Sequence, residues 1–552
     1  MRKILFAAVI VGAALASGLL PASAAGQFTF AKPIRLAGAG GDTEPRAAVT
    51  PAGTHYVVTD GGTIWSSADG LHGWSHVGDL SNQLASSIDV DLVATRTGRL
   101  IGVELDFGGI NFRTSYSDDG GKTWTDSAGP GGAPAPFTGT GYVDQDRPWL
   151  AVGPDDATTH QPRVYMLMHN LASGAATHNM WVATSTDGGA SFGPFVPVTV
   201  PGSQAWLDLQ CADSGGPSNL FVSPADGRVF AVWGARSSAL GGCGASATGS
   251  FEINVVAATR VWIASAPADG TADPTQWTQS LAVDDNATGQ IVGMQLAPGA
   301  IDSAGNVYIV YPESLHAYPD YTGAAIKYVH TTESQLVNNP YGTSGPAQQV
   351  WSAPVTVSPP GQPGNLLPHL VAGGPGQLDF AWFHGRTVKG KVNWYPTAAQ
   401  TLNALDAHPS LATVQLSSFP AYSDQDSSIM MGACASPGPL QGVENGFACG
   451  RSTDVWGVTL DRAGNFLITW PGDGPTAGTY VSVQTAGPVL GATTAVKAAT
   501  AVKTPFTAGS GFGFGAAWLA AGLIALGSLL VVVGLRSRPW SITARRGSTP
   551  NR

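Results

Sequence analysis

Leu220-Phe-Val-Ser-Pro-Ala-Asp-Gly-Arg-Val-Phe-Ala-Val-Trp233 reads as a β-hairpin. A short strand runs into a Pro-Ala-Asp-Gly turn, and a second, wholly apolar strand ends in an aromatic. The same plan recurs along the chain. It appears at Arg46–Val58, at Val90–Val103 and at Trp149–Met168, and again at Leu296–Tyr311, His369–Trp382 and Val455–Trp470. Seven hairpins therefore occupy residues 46–470, roughly 60 residues per unit. No long stretch with a 3.6-residue apolar period interrupts them.

Self-similarity at this period signals an architecture in which each unit buries its faces against its neighbours. The expected fold is all-β, a β-propeller of four-stranded blades. Seven blades are favoured; six or eight remain alternatives because 334–357 is irregular. The last unit ends near Thr485, one strand short, while Phe28–Leu36 resembles an outer strand without a blade. The expectation is that Phe28–Leu36 completes the seventh blade and closes the ring, which removes the exposed sheet edges.

A second pattern follows some hairpins. Ser117-Asp-Asp119-Gly-Gly121-Lys-Thr123-Trp124 and Ser185-Thr-Asp187-Gly-Gly189-Ala-Ser191-Phe192 are full copies, and Ser67-Ala-Asp69-Gly-Leu-His-Gly-Trp74 is a degenerate one. The Asp carboxylate accepts backbone N–H groups across a tight turn, the Gly supplies positive φ, and the aromatic plugs the space between adjacent sheets. The pattern resembles the Asp-box, or BNR repeat, of the sialidase superfamily over residues 27–487. That resemblance implies a propeller in which Ser117, Asp119, Gly121, Trp124, Ser185, Asp187, Gly189 and Phe192 are structural turn residues.

The resemblance also implies a catalytic set: an arginine triad for a substrate carboxylate, a Tyr–Glu nucleophile pair and an Asp acid/base. Bidentate guanidinium groups suit a carboxylate sugar, and a phenol needs a neighbouring base to act as a nucleophile. Here Arg46, Asp60 and Arg147 take the nearest places, with Tyr422 as nucleophile and Tyr395 as its competitor. The family's Arg-Ile-Pro motif is replaced by Glu44-Pro45-Arg46, and no convincing Glu or third Arg lies in the middle units. Hydrolase activity is left open. Strand direction alone adds a second set. Residues at the starts of inner strands crowd one mouth of the channel, which nominates Asp89, Asp208, Gln295, His369 and Asp454 beside Arg46 and Arg147 as ligand contacts, the two arginines facing an anion.

The chain ends have a different character. Arg2 and Lys3 precede an uncharged apolar run and Ala22-Ser23-Ala24, so 1–24 reads as a signal peptide. Residues 512–535 are 24 uncharged positions followed by Arg536 and Arg538, a transmembrane helix with a basic cytoplasmic tail at 536–552. Residues 488–510 read as a flexible stalk. This topology places the body outside the cell on a single-pass anchor, where Cys211, Cys243, Cys434 and Cys449 are expected in disulfides, with sequence neighbours suggesting Cys211–Cys243 and Cys434–Cys449.

The whole chain carries a formal −10, but the two ends hold seven basic residues and no acid. The body alone therefore sets 20 basic against 37 acidic side chains, a formal −17. That excludes nucleic acid as a partner. No metal or cofactor is expected, since the cysteines lack zinc spacing and a structural calcium is not indicated. The expected partner is an extracellular glycan or surface protein at the axial face, with a non-catalytic envelope scaffold as a further alternative.

Overall fold

The computed structural model describes residues 28–39, 44–80, 89–106, 111–129, 145–170, 179–211, 217–240, 258–285, 297–314, 323–342, 350–360, 364–425, 456–472 and 475–491. The chain falls into two compact units, 1–498 and 499–552, and all described residues belong to the first. The signal, span and tail expected at 1–24, 512–535 and 536–552 lie outside the described residues. Among the described residues no helix is long and apolar enough to cross a membrane.

The fold is a seven-bladed β-propeller. Its inner strands are Arg46–Val49, Val90–Ala94, Gln145–Asp155, Pro217–Val222, Gly299–Ile301, Asn365–Ala372 and Gly457–Leu460, in blades 1 to 7. All seven hairpins read from the sequence are the first two strands of a blade. The second strand is wholly apolar because both its faces are covered. In Val229–Ala235 every residue is buried. Val229, Ala231 and Trp233 share a core with blade 3, whereas Phe230 and Val232 share one with blade 5. The two-residue period thus assigns alternate side chains to opposite neighbours.

Closure occurs as expected. Phe30 and Ile34 pair with Gln484 and Val481 on the third strand of blade 7, so Thr29–Phe30 and Ile34–Arg35 supply its outer edge. The folded chain runs past the expected boundary at 487. Pro488 accepts Gln400 Nε2 at 2.9 Å and Gln484 Nε2 at 2.7 Å, and fully buried Leu490 donates its N–H to Gly464 at 3.1 Å. Gln400 also donates to Asp379 Oδ1 at 2.8 Å.

Burial pushes the Asp379 carboxyl up to about 8. Its unfolded value is about 3.9. A raised acid binds its proton more tightly when folded, so native stability falls as pH rises between these values, by roughly 1 kcal/mol per pH unit. Urea titrations between about pH 4 and 8 test this: Asp379→Asn should flatten the slope and gain most at the alkaline end. Equal slopes in both proteins contradict it.

The three box-like turns share one hydrogen-bonding plan. Asp119 Oδ1 accepts the N–H of Lys122 at 3.1 Å and of Thr123 at 2.9 Å, and Ser117 Oγ accepts Gly121 N–H at 2.9 Å. Asp187 and Ser185 repeat this with Ser191 at 2.8 Å and Gly189 at 2.9 Å, and Asp69 with Leu71 and His72, both at 2.8 Å. The Thr123 hydroxyl and N–H hold the Asp119 carboxyl well below the usual range. Trp124, Phe192 and Trp74 each lie in the core shared with the preceding blade. Gly189 has φ +84°, and a Cβ there would lie 2.7 Å from Ile101 of blade 2, so glycine is needed for both backbone and space.

Candidate functional site at the axial mouth

The mouth is the end of the ring where the inner strands begin. Arg46 opens blade 1 there, and its guanidinium ties four blades together. Its Nε lies 3.2 Å from Asp91 Oδ1 of blade 2, its Nη1 donates to the Trp456 carbonyl beside blade 7 at 3.0 Å, and its plane sits 4.3 Å from the Trp149 ring of blade 3. Asp91 also accepts the Leu92 N–H at 2.9 Å and the Leu150 N–H at 2.7 Å. Arg147 forms the second node: it is ion-paired to Glu44 and lies 3.4 Å from Asp89. All three are buried. One cleft is lined by Glu44, Arg46, Asp89, Arg147 and Trp149.

Backbone geometry places these groups. Arg147 has φ 55°, and the ladder with the next strand slips between Asp146 and Trp149. Leu367 repeats this in blade 6, with φ 54° and a slip between Leu366 and His369. Each precedes a proline, Pro148 and Pro368. A residue before proline rarely adopts positive φ, so both are strained positions. The proline lacks the N–H that a bulge would leave unpaired.

Two buried histidines back the arginines. Burial, then the Arg147 charge, holds His169 down to about 3. Burial and Arg46 lower His369 well below its ordinary value. The Nε2 of His369 accepts the Trp456 N–H at 3.4 Å, which assigns its proton to Nδ1. Burial also pushes the Asp91 carboxyl up, against the pull of Arg46. Among the described residues the floor of the mouth is a buried polar lattice of Arg46 and Arg147 with Glu44, Asp89 and Asp91.

The structure brings Arg46, Asp89 and Arg147 together in one cleft, whereas His369 lies four residues into its inner strand, buried against Trp456. Tyr422 is also buried, 5.9 Å from Phe383, which stacks at 4.5 Å on Trp456. Asp60 lies in a short turn, Asp60–Gly62, after the second strand of blade 1. Asp208 is not at an inner-strand start. It lies on the helix Gln204–Leu209, fully buried, and accepts Gln204 Nε2 and Ser238 N–H at 2.8 Å and Arg260 Nη1 and Trp262 Nε1 at 3.0 Å. These four donors make it a structural hub of blade 4. Gln295 and Asp454 lie outside the described residues. So do Cys243, Cys434 and Cys449; Cys211 is buried and disulfide-bonded, and the expected pairings fall outside the described residues.

Glu44, Asp91, His169 and Trp456 were not nominated from the sequence. Asp91 carried a usable signal: residues two apart on a strand share a face, so Asp89-Val-Asp91 aims both carboxylates the same way. Trp456 and His169 carried none, because their places depend on how distant blades meet.

No family model matches the chain, and no curated protein matches it. Solved structures do. An α-L-arabinofuranosidase from Fusarium graminearum is 13% identical, covering 72% of this chain and 92% of that one with a TM-score of 0.39. A Hadza microbial sialidase, Hz136, is 10% identical over 78% and 73% with a TM-score of 0.37. YCF48 bound to D1 peptide is 10% identical over 84% and 98% with a TM-score of 0.41. At these identities the likeness is one of fold.

Proposed function

We propose that this protein is a membrane-anchored extracellular propeller that recognises a glycan or protein ligand at its axial mouth without chemically altering it. The observation that carries the reading is the engagement of Arg46 and Arg147 by carboxylates of the protein itself. A guanidinium already neutralised in a buried pair is poorly placed to clamp a substrate carboxylate. What the mouth offers instead is a fixed polar surface suited to hydroxyl groups. The signal at 1–24 and the span at 512–535 belong to this reading and orient the body outward.

Two assays on the purified chain separate binding from catalysis. Glycan-array binding with no release of a fluorogenic sialoside is the expected result. Turnover that Arg46→Ala abolishes would replace this reading with an exo-sialidase or related hydrolase. Silence in both assays would favour a scaffold.

A further inference from the structure

The turns that follow the inner strands lie at the end of the ring opposite the mouth, and they share one plan. In each, the first residue donates its N–H to the carbonyl of the last, from Thr50 to Thr54 at 3.0 Å in blade 1 through to Asp461 and Asn465 at 2.9 Å in blade 7. In six blades the first residue is Thr50, Thr95, Asp156, Ser223, Asp302 or Asp461, and its side-chain oxygen bonds a backbone group of its own turn. In blade 6 it is Gly373, although the backbone bond to Gln377 is kept at 3.0 Å. Gly373 does not have a positive φ, so the turn itself does not call for glycine.

What calls for it is the segment by which the chain leaves the propeller. A Cβ on Gly373 would lie 2.6 Å from Leu490 Cβ and 3.1 Å from the Gly491 nitrogen, and one on Gly464, in the equivalent turn of blade 7, would collide with the Leu490 carbonyl. Leu490 is fully buried between the two turns. Its N–H donates to Gly464, the Gly491 N–H donates to Gln377 Oε1 at 3.1 Å, and the Pro488 carbonyl accepts from Gln400 of blade 6 and Gln484 of blade 7. Gln377 replaces the missing side chain of its turn, since the same Oε1 accepts the Gly374 N–H at 3.3 Å. Blade 5 fixes this turn from the other side: the Ser303 N–H donates to the Gly373 carbonyl and Asp302 Oδ2 accepts the Gly376 N–H, both at 2.9 Å.

We infer that residues 488–491 are a strap that stops the propeller fraying from its C-terminal end, with Gly373 and Gly464 as its seat. The last strand of the ring, Gly478–Ala486, ends where the chain leaves. Local opening concentrates at such ends, and opening there would strip the strand from Thr29–Phe30 on one edge and from Phe466–Gly472 on the other. The strap moves the point of exit past this strand. Its hydrogen bonds divide between blades 6 and 7, and its buried leucine sits where the two turns meet, so the strand end and the seam between the blades open only together. A pull along the chain beyond residue 491 meets the strap before it meets the strand. Nothing in this depends on what the mouth binds.

Hydrogen exchange of the full-length chain, read by mass spectrometry, tests the strap. In the wild type the Leu490 and Gly491 amides should be protected. Gly373→Ala adds one methyl group where Leu490 sits, and should speed their exchange by about tenfold or more, with the amides of Gly478–Ala486 following by about tenfold. Leu490→Ala unseats the strap without touching either turn and should do the same. Val489→Ala changes an exposed side chain of the strap and should stay within about twofold of wild type. Val90–Ala94 of blade 2 should keep wild-type exchange in every variant, which separates local release from general loss of stability. Three results overturn the inference: wild-type Leu490 and Gly491 amides that exchange as in an unfolded chain, a released strap that leaves Gly478–Ala486 unchanged, or equal loosening of blade 2. A silent glycan array leaves each of these outcomes as it is, so the ligand reading can fail alone.

Discussion

Arg147→Ala should destabilise the propeller by about 3–5 kcal/mol, the usual cost of removing one partner from a buried charge cluster. Arg147 is the shared partner of Glu44 and Asp89, and all three are almost wholly shielded from water. Truncation leaves the Glu44 and Asp89 carboxylates without their shared guanidinium in a buried, low-dielectric site, which penalises their charged forms. Those carboxylates precede the inner strands of blades 1 and 2, so the loss is felt across three blades. Urea denaturation at neutral pH measures it. A second protein carrying Arg147→Met, Glu44→Gln and Asp89→Asn removes the charges together and should recover much of the loss, because a buried pair costs most when broken. If Arg147→Ala unfolds at the wild-type midpoint, the cluster is not the structural node described here.

Deleting residues 28–36 should cost at least about 5 kcal/mol and promote aggregation. Phe28 and Leu36 are buried, and burying such side chains is worth about 1.5–3 kcal/mol each. The deletion also strips the outer strand from Gly478–Ala486, whose N–H and C=O groups then form an open edge. Leu36 belongs to the core between blades 7 and 1, so the ring loses packing where its ends meet. Size-exclusion chromatography with thermal unfolding reads both effects. A product with the elution volume and midpoint of the full chain would show that the ring closes without this segment.

Much of the fold was legible because its signals are local. A Pro-Ala-Asp-Gly turn between a half-apolar and a wholly apolar strand specifies a hairpin within 14 residues, at Leu220–Trp233. The Ser-x-Asp-x-Gly turns are equally local: Asp119 and Asp187 satisfy donors only two to four residues away. Even closure was visible, since a missing strand at one end and a spare strand at the other form a simple complement. The site was legible only as a set of positions. Strand direction nominated Arg46, Asp89, Arg147 and His369; the first three line one cleft, whereas His369 sits four residues into its strand. Asp208 failed the same rule because a six-residue helix precedes the inner strand of blade 4 and turns its carboxylate inward.

By itself the sequence determined the four-stranded blade plan, the hairpin order, the turn chemistry and the acidic body; the structure fixed the count at seven. Each feature determined by sequence depends on neighbours in the chain or on composition. Tertiary structure decided what the polar residues do. Arg46 meets Asp91, Trp149 and Trp456, residues separated from it by 45 to 410 positions. Whether a guanidinium is offered to a ligand or spent on a buried carboxylate depends on distances that only the closed ring sets.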